Sequence, residues 1–221
     1  MNILYTGTNP LKYKSRGTII HLPMIEIKEA VVPKKRIQSL KRSMDSYAII
    51  LLTSRFGVQY FFRFLKKEEF SFKKIKNKDF AVIGKDTAAS LRKLGIRPKV
   101  TASEETSGGL LNALREHFDL KSKKILFPRS SLPNPFLKKE LKNLGSHVDE
   151  FKIYRNLKPR RQTLPQKGID VVLFTSPSTV RNFLLNYGRI PGTWKILCKG
   201  PVTKEYLQKK GYHCCVNHVT F

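Results

Sequence analysis

The sequence predicts an α/β fold of two related units, each a doubly wound parallel sheet covered by helices, with the second unit inserted into the first. Three observations lead there. Short apolar runs alternate with helix-period segments along most of the chain. Those runs are uninterrupted, as strands buried on both faces require. Two different motifs also occur twice each, in the same order, which is the mark of duplicated units.

The first strand is read at residues 3–5, and further strands at 48–52, 80–83, 125–127, 171–174 and 195–197. Amphipathic helices are read at 58–65, 87–94, 109–118, 135–144, 180–185 and 203–210. The repeat links the halves. Thr53-Ser54-Arg55-Phe56-Gly57-Val58-Gln59-Tyr60-Phe61 matches Thr175-Ser176-Pro177-Ser178-Thr179-Val180-Arg181-Asn182-Phe183, both reading T-S-x-x-x-V-x-x-F after an apolar run. Gly84, Thr87, Leu91 and Gly95 then recur as Gly200, Thr203, Leu207 and Gly211. Basic, proline-containing stretches at 28–36 and 155–168 read as linkers. They place residues 1–27 and 169–221 in a discontinuous first domain and 37–154 in a second.

Hydrophobic residues make up 40% of the 221, enough for packed cores. Forty-three Lys and Arg against sixteen Asp and Glu give a formal charge of +27. Such a surface attracts polyanions; equally, it is what a lysine-rich proteome leaves on any protein. Cys198, Cys214 and Cys215 lack metal-ligand spacing, and an odd, sparse set fits a reducing compartment. The five histidines, His21, His117, His147, His213 and His218, show no short ligand spacing either, so no metal is expected. Met1 leads straight into a strand-like run, and no apolar stretch approaches the roughly 20 residues of a membrane helix. A cytoplasmic protein with no membrane partner is expected. Neither a P-loop nor a G-x-S-x-G elbow is present, which argues against nucleotide-triphosphate and standard hydrolase chemistry.

Each repeated motif is a strand end, a turn bearing hydroxyl or glycine, and a helix start. Ser54, Thr87, Ser176, Ser178 and Thr203 fall at those starts. Their hydroxyls can cap orphan N–H groups, and free N–H groups there attract anions. For any one of these residues capping is the simpler reading; for the paired set, a binding cleft at the carboxyl ends of the strands is. Ser107-Gly108-Gly109, ahead of an apolar helix, divides the same way between cap and anion site.

In their order and spacing these residues resemble the uroporphyrinogen-III synthases. The landmarks are Leu22-Pro23-Met24-Ile25-Glu26-Ile27, Leu52-Thr53-Ser54-Arg55-Phe56-Gly57-Val58 and Val82-Ile83-Gly84-Lys85-Asp86-Thr87. Gly145-Ser146-His147-Val148-Asp149-Glu150 leads on to Ile153-Tyr154-Arg155, followed by Phe174-Thr175-Ser176-Pro177-Ser178-Thr179-Val180 and Gly200-Pro201-Val202-Thr203. The resemblance implies two α/β domains joined by a two-stranded connector. It implies a carbon–oxygen lyase that cyclises hydroxymethylbilane, a linear tetrapyrrole with eight carboxylates, inverting ring D, without metal or organic cofactor. On this resemblance Tyr154 is the candidate proton donor, or else a tyrosine packed for structure. Thr6, Ser54, Lys85, Thr87, Ser107, Arg129, Thr175, Ser176, Ser178 and Thr203 are the candidate substrate-binding residues. A monomer is expected.

Two departures from the family pattern stand out. Thr6-Gly7-Thr8 replaces the usual Thr-Arg-Pro turn, with a short or absent first helix expected behind it, and a final strand-like run shortly before Phe221 is expected without the usual closing helix. Two alternatives therefore stay open. One is a module that binds an anionic small molecule without catalysis. The other, resting on charge alone and lacking any readout motif, is a nucleic-acid-binding protein.

Overall fold

The computed structural model describes residues 1–11, 17–132, 135–165 and 168–216. In chain order its elements are β1 (Asn2–Tyr5), β2 (Thr18–His21), β3 (Glu26–Glu29), α1 (Lys34–Ser43), β4 (Ile49–Leu52), α2 (Arg55–Lys67), α3 (Phe72–Lys76), β5 (Asp79–Val82) and α4 (Lys85–Arg92). There follow β6 (Val100–Thr101), α5 (Ser107–His117), β7 (Lys124–Ser130), α6 (Phe136–Asn143), β8 (His147–Leu157) and β9 (Val171–Phe174). The remainder is α7 (Pro177–Tyr187), β10 (Lys195–Cys198), α8 (Pro201–Gln208) and β11 (Cys215–Val216). The chain divides into two compact units, Met1–Ile27 with Asn156–Phe221, and Lys28–Arg155.

The contiguous unit carries a sheet in the order β3-β8-β7-β4-β5-β6. From β8 to β6 every pairing is parallel. The chain winds outward through β5 and β6, then returns to the other side of β4 for β7 and β8. Ile49, Ile50, Leu51 and Leu52 are all inaccessible, because helices cover both faces. Ile49 and Leu51 enter a core with Leu110 and Leu114 of α5 and Leu137 and Leu141 of α6. Against β4 and β7 packs α2, burying Val58, Phe61 and Leu65.

The discontinuous unit has the order β11-β10-β9-β1-β2, parallel throughout. Alternation along the strands builds a core on each face. Leu4, Val172 and Phe174 join Val180, Phe183 and Leu207; Ile3, Tyr5, Val171 and Leu173 form the other cluster.

The sequence repeat has a structural cause. Ser54 and Ser176 each cap a helix by accepting from the backbone N–H three residues on, Gly57 in α2 and Thr179 in α7. The repeated Val and Phe are the buried pairs Val58/Val180 and Phe61/Phe183. In the second motif Thr87/Thr203 and Leu91/Leu207 face inward. Gly95 and Gly211 take φ of +71° and +81° to end α4 and α8, a conformation that costs other residues energy.

Several elements differ from expectation. The stretch expected as the first linker contains the start of α1 at Lys34, with Pro33 as its N-cap. Only Leu40 of that helix is buried, so its apolar stripe is too thin to read against ten largely polar residues. The second expected linker begins inside β8, which continues to Leu157. Neither the short α3 nor the strands β2, β3 and β6 stood out as apolar runs, while β11 falls in the final strand-like run. Residues 12–16, where the first helix was expected to be short or absent, and the stretch beyond 216 lie outside the described residues.

An ion cluster joins β7, β8 and α6. Glu150 accepts from Arg129 at 2.6 Å and from Lys138 at 3.0 Å, with Arg129 and Glu150 side chains 12% and 17% exposed. Burial pushes the Glu150 pKa up, but the hydrogen bonds and charges of Arg129 and Lys138 outweigh it and hold it below the ordinary 4.5.

Two outcomes are expected. Because Phe183 is fully buried between Phe174, Tyr187 and Trp194, Phe183→Ala costs about 3–5 kcal/mol in urea unfolding. Leu185→Ala on the same helix, at a position 65% exposed, changes stability by no more than about 0.5 kcal/mol. Glu150→Gln costs about 1–3 kcal/mol at pH 7. A carboxylate with a depressed folded pKa stabilises above its unfolded value and loses that contribution as pH falls. The gap between wild type and Glu150→Gln therefore closes as the pH drops from the unfolded value near 4.5 through the lower folded one.

Candidate functional site

In an open α/β sheet the crevice for a ligand lies beyond the carboxyl ends of the strands, where the winding reverses. Each unit has one such point.

In the contiguous unit it falls between β4 and β7. The chain leaves β4 at Leu52 and reaches the Ser54 cap two residues later, where the half-buried Ser54 Oγ accepts from Gly57 N at 2.9 Å. On the far side, β7 ends at Ser130, in register with Tyr154 of β8 across an irregularity at Arg129/Ser130. Tyr154 Oη and Ser54 Oγ lie 2.8 Å apart. The Tyr154 ring stacks on Tyr60 at 5.6 Å and tilts against Phe56 at 6.2 Å, leaving the residue 7% exposed. Burial raises the Tyr154 pKa above 10.0, although hydrogen bonds with Ser54 and Ser130 and the charge of Arg129 pull it back. The phenol therefore keeps its proton at neutral pH. Since Ser54 spends a lone pair on Gly57, a proton from Tyr154 onto the other leaves the Ser54 hydrogen pointing outward for a guest.

The other expected residues of this unit stand differently. The Arg129 guanidinium is taken by Glu150 and by the Leu132 carbonyl, so a substrate carboxylate must compete with a formed ion pair. The α4 start is similarly engaged: Lys85 N donates to Glu105 Oε1 at 2.8 Å, while the Lys85 side chain is exposed. Gly84, with φ of +79°, turns the chain into the helix in a conformation that other residues adopt only at a cost. Thr87 is 4% exposed and turned inward. The residue that caps α5 is Thr106, accepting from Gly109 N at 2.9 Å, and Ser107 is the first helical residue behind it.

In the discontinuous unit the winding reverses between β1 and β9. Thr6 is fully buried, and its hydroxyl donates to Leu173 O at 2.7 Å, so its side chain ties β1 to β9 rather than facing a ligand. Thr175, Ser176 and Ser178 lie half-buried at the β9–α7 turn. There Ser176 and Thr179 form a reciprocal capping box. Thr203 is 4% exposed on α8, like its counterpart Thr87. Of the expected residues, then, Thr175, Ser176 and Ser178 share this edge half-buried, while Thr6 and Thr203 are buried. Thr87 and Thr203 recur at buried positions of α4 and α8, and Thr6, outside the repeat, is buried as well.

Sequence reasoning noted Gly7 as a departure and His21 as a lone histidine, but not that the two meet. A Cβ on Gly7 would lie 2.5 Å from Tyr5 Oη and 2.7 Å from Thr175 Cγ2, so no larger residue fits. The exposed His21 ring is 2.8 Å from Gly7 O and 5.8 Å from the Tyr5 ring. The signal was the glycine itself, standing where the family pattern has arginine. Among the described residues no group of three or more His, Cys, Asp or Glu stands as metal ligands would, and no helix is long and apolar enough to cross a membrane.

Comparison with known proteins agrees with this architecture. The chain is 28% identical over 211 residues to a Methanothermobacter thermautotrophicus protein provisionally named a uroporphyrinogen-III synthase, covering 88% of this chain and 81% of that one. A variant of the Thermus thermophilus uroporphyrinogen III synthase has the same fold, with TM-score 0.70 and 18% identity over 97% of this chain and 91% of that one. The Helicobacter pylori uroporphyrinogen-III synthetase superposes with TM-score 0.66 and 17% identity over the same shares, 97% and 91%. The family model described as Uroporphyrinogen-III synthase HemD matches residues 11–219. With nearly the whole length matched, the chain belongs to the uroporphyrinogen-III synthase family.

Proposed function

We propose that this protein cyclises hydroxymethylbilane to uroporphyrinogen III, and that the Tyr154–Ser54 pair assists departure of the terminal hydroxyl. The observation that carries the reading is the 2.8 Å contact between these two hydroxyls at the β4/β7 reversal. The bilane's terminal hydroxyl departs as water once a proton is placed on its oxygen. A buried phenol that stays protonated and hydrogen-bonds a half-exposed serine is suited to supply it. The resulting azafulvene is attacked by the terminal pyrrole at its substituted carbon. The spiro intermediate then fragments and recloses with ring D inverted.

Without a catalyst the same chain closes with ring D in its original sense. Selection therefore depends on holding the substrate so that one approach is open, a matter of positioning. Thr175, Ser176 and Ser178 at the half-buried β9–α7 turn offer hydroxyls for carboxylates, as does Ser54. The surplus of cations over acids, 43 against 16, supports attraction of an octa-anionic substrate. A second reading, a binder of anionic small molecules without turnover, is favoured by Gly7 standing where the family pattern has arginine.

Two measurements test this. Given fresh hydroxymethylbilane, with products oxidised and separated by isomer, the protein yields predominantly type III; type I alone at the protein-free rate overturns the enzyme reading in favour of the binder. Tyr154→Phe keeps the ring packing but removes the proton. It lowers the type III rate by about a hundredfold, the lower end of what a positioned donor supplies. An unchanged rate would assign Tyr154 to packing alone.

A further inference from the structure

We propose that Cys214 and Cys198 are a thiol pair that a small-molecule disulfide oxidises to an intrachain disulfide, joining the end of β10 to the segment entering β11. Cys198 closes β10 and is buried, Cys214 is half-buried, and Cys215 is exposed. The Cys198 and Cys214 sulfurs lie 3.5 Å apart. Strands β10 and β11 are parallel, with Cys198 opposite Val216. Cys214 thus lies two residues back from the Cys198 partner, on the same face of the sheet. A disulfide bond is about 2.05 Å long, so the sulfurs need to close by roughly 1.5 Å. The strand that must yield is a two-residue edge strand, the easiest in the sheet to shift.

Access decides the order of events. A cavity of about 380 Å³ is lined by Ile190, Trp194, Tyr212, His213, Cys214 and Cys215 among others, and Cys198 is not in its wall. A small disulfide entering there meets Cys214 with Cys198 behind it. The Cys214 thiolate attacks one sulfur of the incoming disulfide, whose S–S bond breaks. One small thiol leaves with the proton Cys214 gave up. Cys198 then loses its own proton and attacks the Cys214 sulfur of the mixed disulfide, expelling the second small thiol. Two protein thiols are oxidised and one small disulfide is reduced to two thiols.

Burial, together with the hydrogen bond and charge of Cys214, pushes the Cys198 thiol up to about 12. Only the thiolate is nucleophilic, so the second step is slow. It eases once Cys214 has been consumed, because that charge is then gone. Cys215 is on the opposite face of its strand and takes only an adduct. In a reducing compartment the pair stays as thiols until the disulfide pool rises.

The test is oxidised glutathione added to the native protein, followed by intact mass and non-reducing peptide mapping. Wild type and Cys215→Ser yield a peptide joining Cys198 to Cys214, with two hydrogens lost. Cys198→Ser halts at a glutathione adduct on Cys214, and Cys214→Ser loses the joined peptide. Circular dichroism identifies any variant that has unfolded, and Cys198→Ala serves as the second variant at the buried position. Adducts confined to Cys215, or a joined peptide appearing only in denaturant, overturn the proposal.

Discussion

A strand with no solvent on either face has to hand its chain to a covering helix within a residue or two, and in both units one serine hydroxyl makes that turn. Without it the first helical N–H groups would sit at the edge of a dry core with no acceptor, a debt of about 1 kcal/mol or more. Ser54 and Ser176 meet that need from the same backbone geometry, both extended and both bonded to the third helical residue. The direction of α2 and α7 follows from this, and so does the seating of Phe61 and Phe183 under the sheet. The crevice beside each cap is a consequence of the turn. In the contiguous unit it also brings the capping hydroxyl within reach of Tyr154, so one atom serves both fold and candidate chemistry.

The charges sort themselves by depth. Two half-buried cations are held by acids, Arg129 by Glu150 and Arg36 by Asp149, which also accepts from Tyr47, while half-buried Lys78 donates to the Asp45 and Tyr47 carbonyls. These pairs hold β8 to its neighbours. Sixteen acids cannot serve forty-three cations, and most of the surplus faces solvent, where it acts at a distance and falls off with salt. The basic composition therefore speaks of encounter more than of architecture. The residues that define the crevices are mostly uncharged.

How far the sequence was legible follows from the same physics. Strands such as Ile49–Leu52 and Val171–Phe174 announced themselves because burial on both faces excludes every polar residue. Edge elements did not. Along β8, second from the sheet edge, only Phe151, Ile153 and Tyr154 are buried, and it reads as a mixed segment; α1 is almost wholly solvated. The repeat was legible as relatedness and less so as function, since Thr87 and Thr203 recur for packing and Ser54 and Ser176 for capping. Tyr154 was placed at its edge by a family resemblance; its partner Ser54 was separately visible as a helix start. That the two touch is long-range information, spread over 100 residues of chain, which no local pattern encodes. The commitment of Arg129 to Glu150 was hidden for the same reason.

The discontinuous unit carries a consequence for synthesis. Its central pairing sets Ile3 against Val171, and Asn2 N donates to Asp170, 168 positions later. As the chain leaves the ribosome, the contiguous unit has all of its strands before β9 has been made. The apolar first strand has β2 beside it early, but its other edge must wait for β9 through that whole interval. Nascent-chain folding thus completes the inserted unit before the sheet that holds β1 can close on β9. In that window Ile3 and Leu4 are the exposed surface a holdase would recognise, and the brevity of the strand limits how long a sticky edge is on offer.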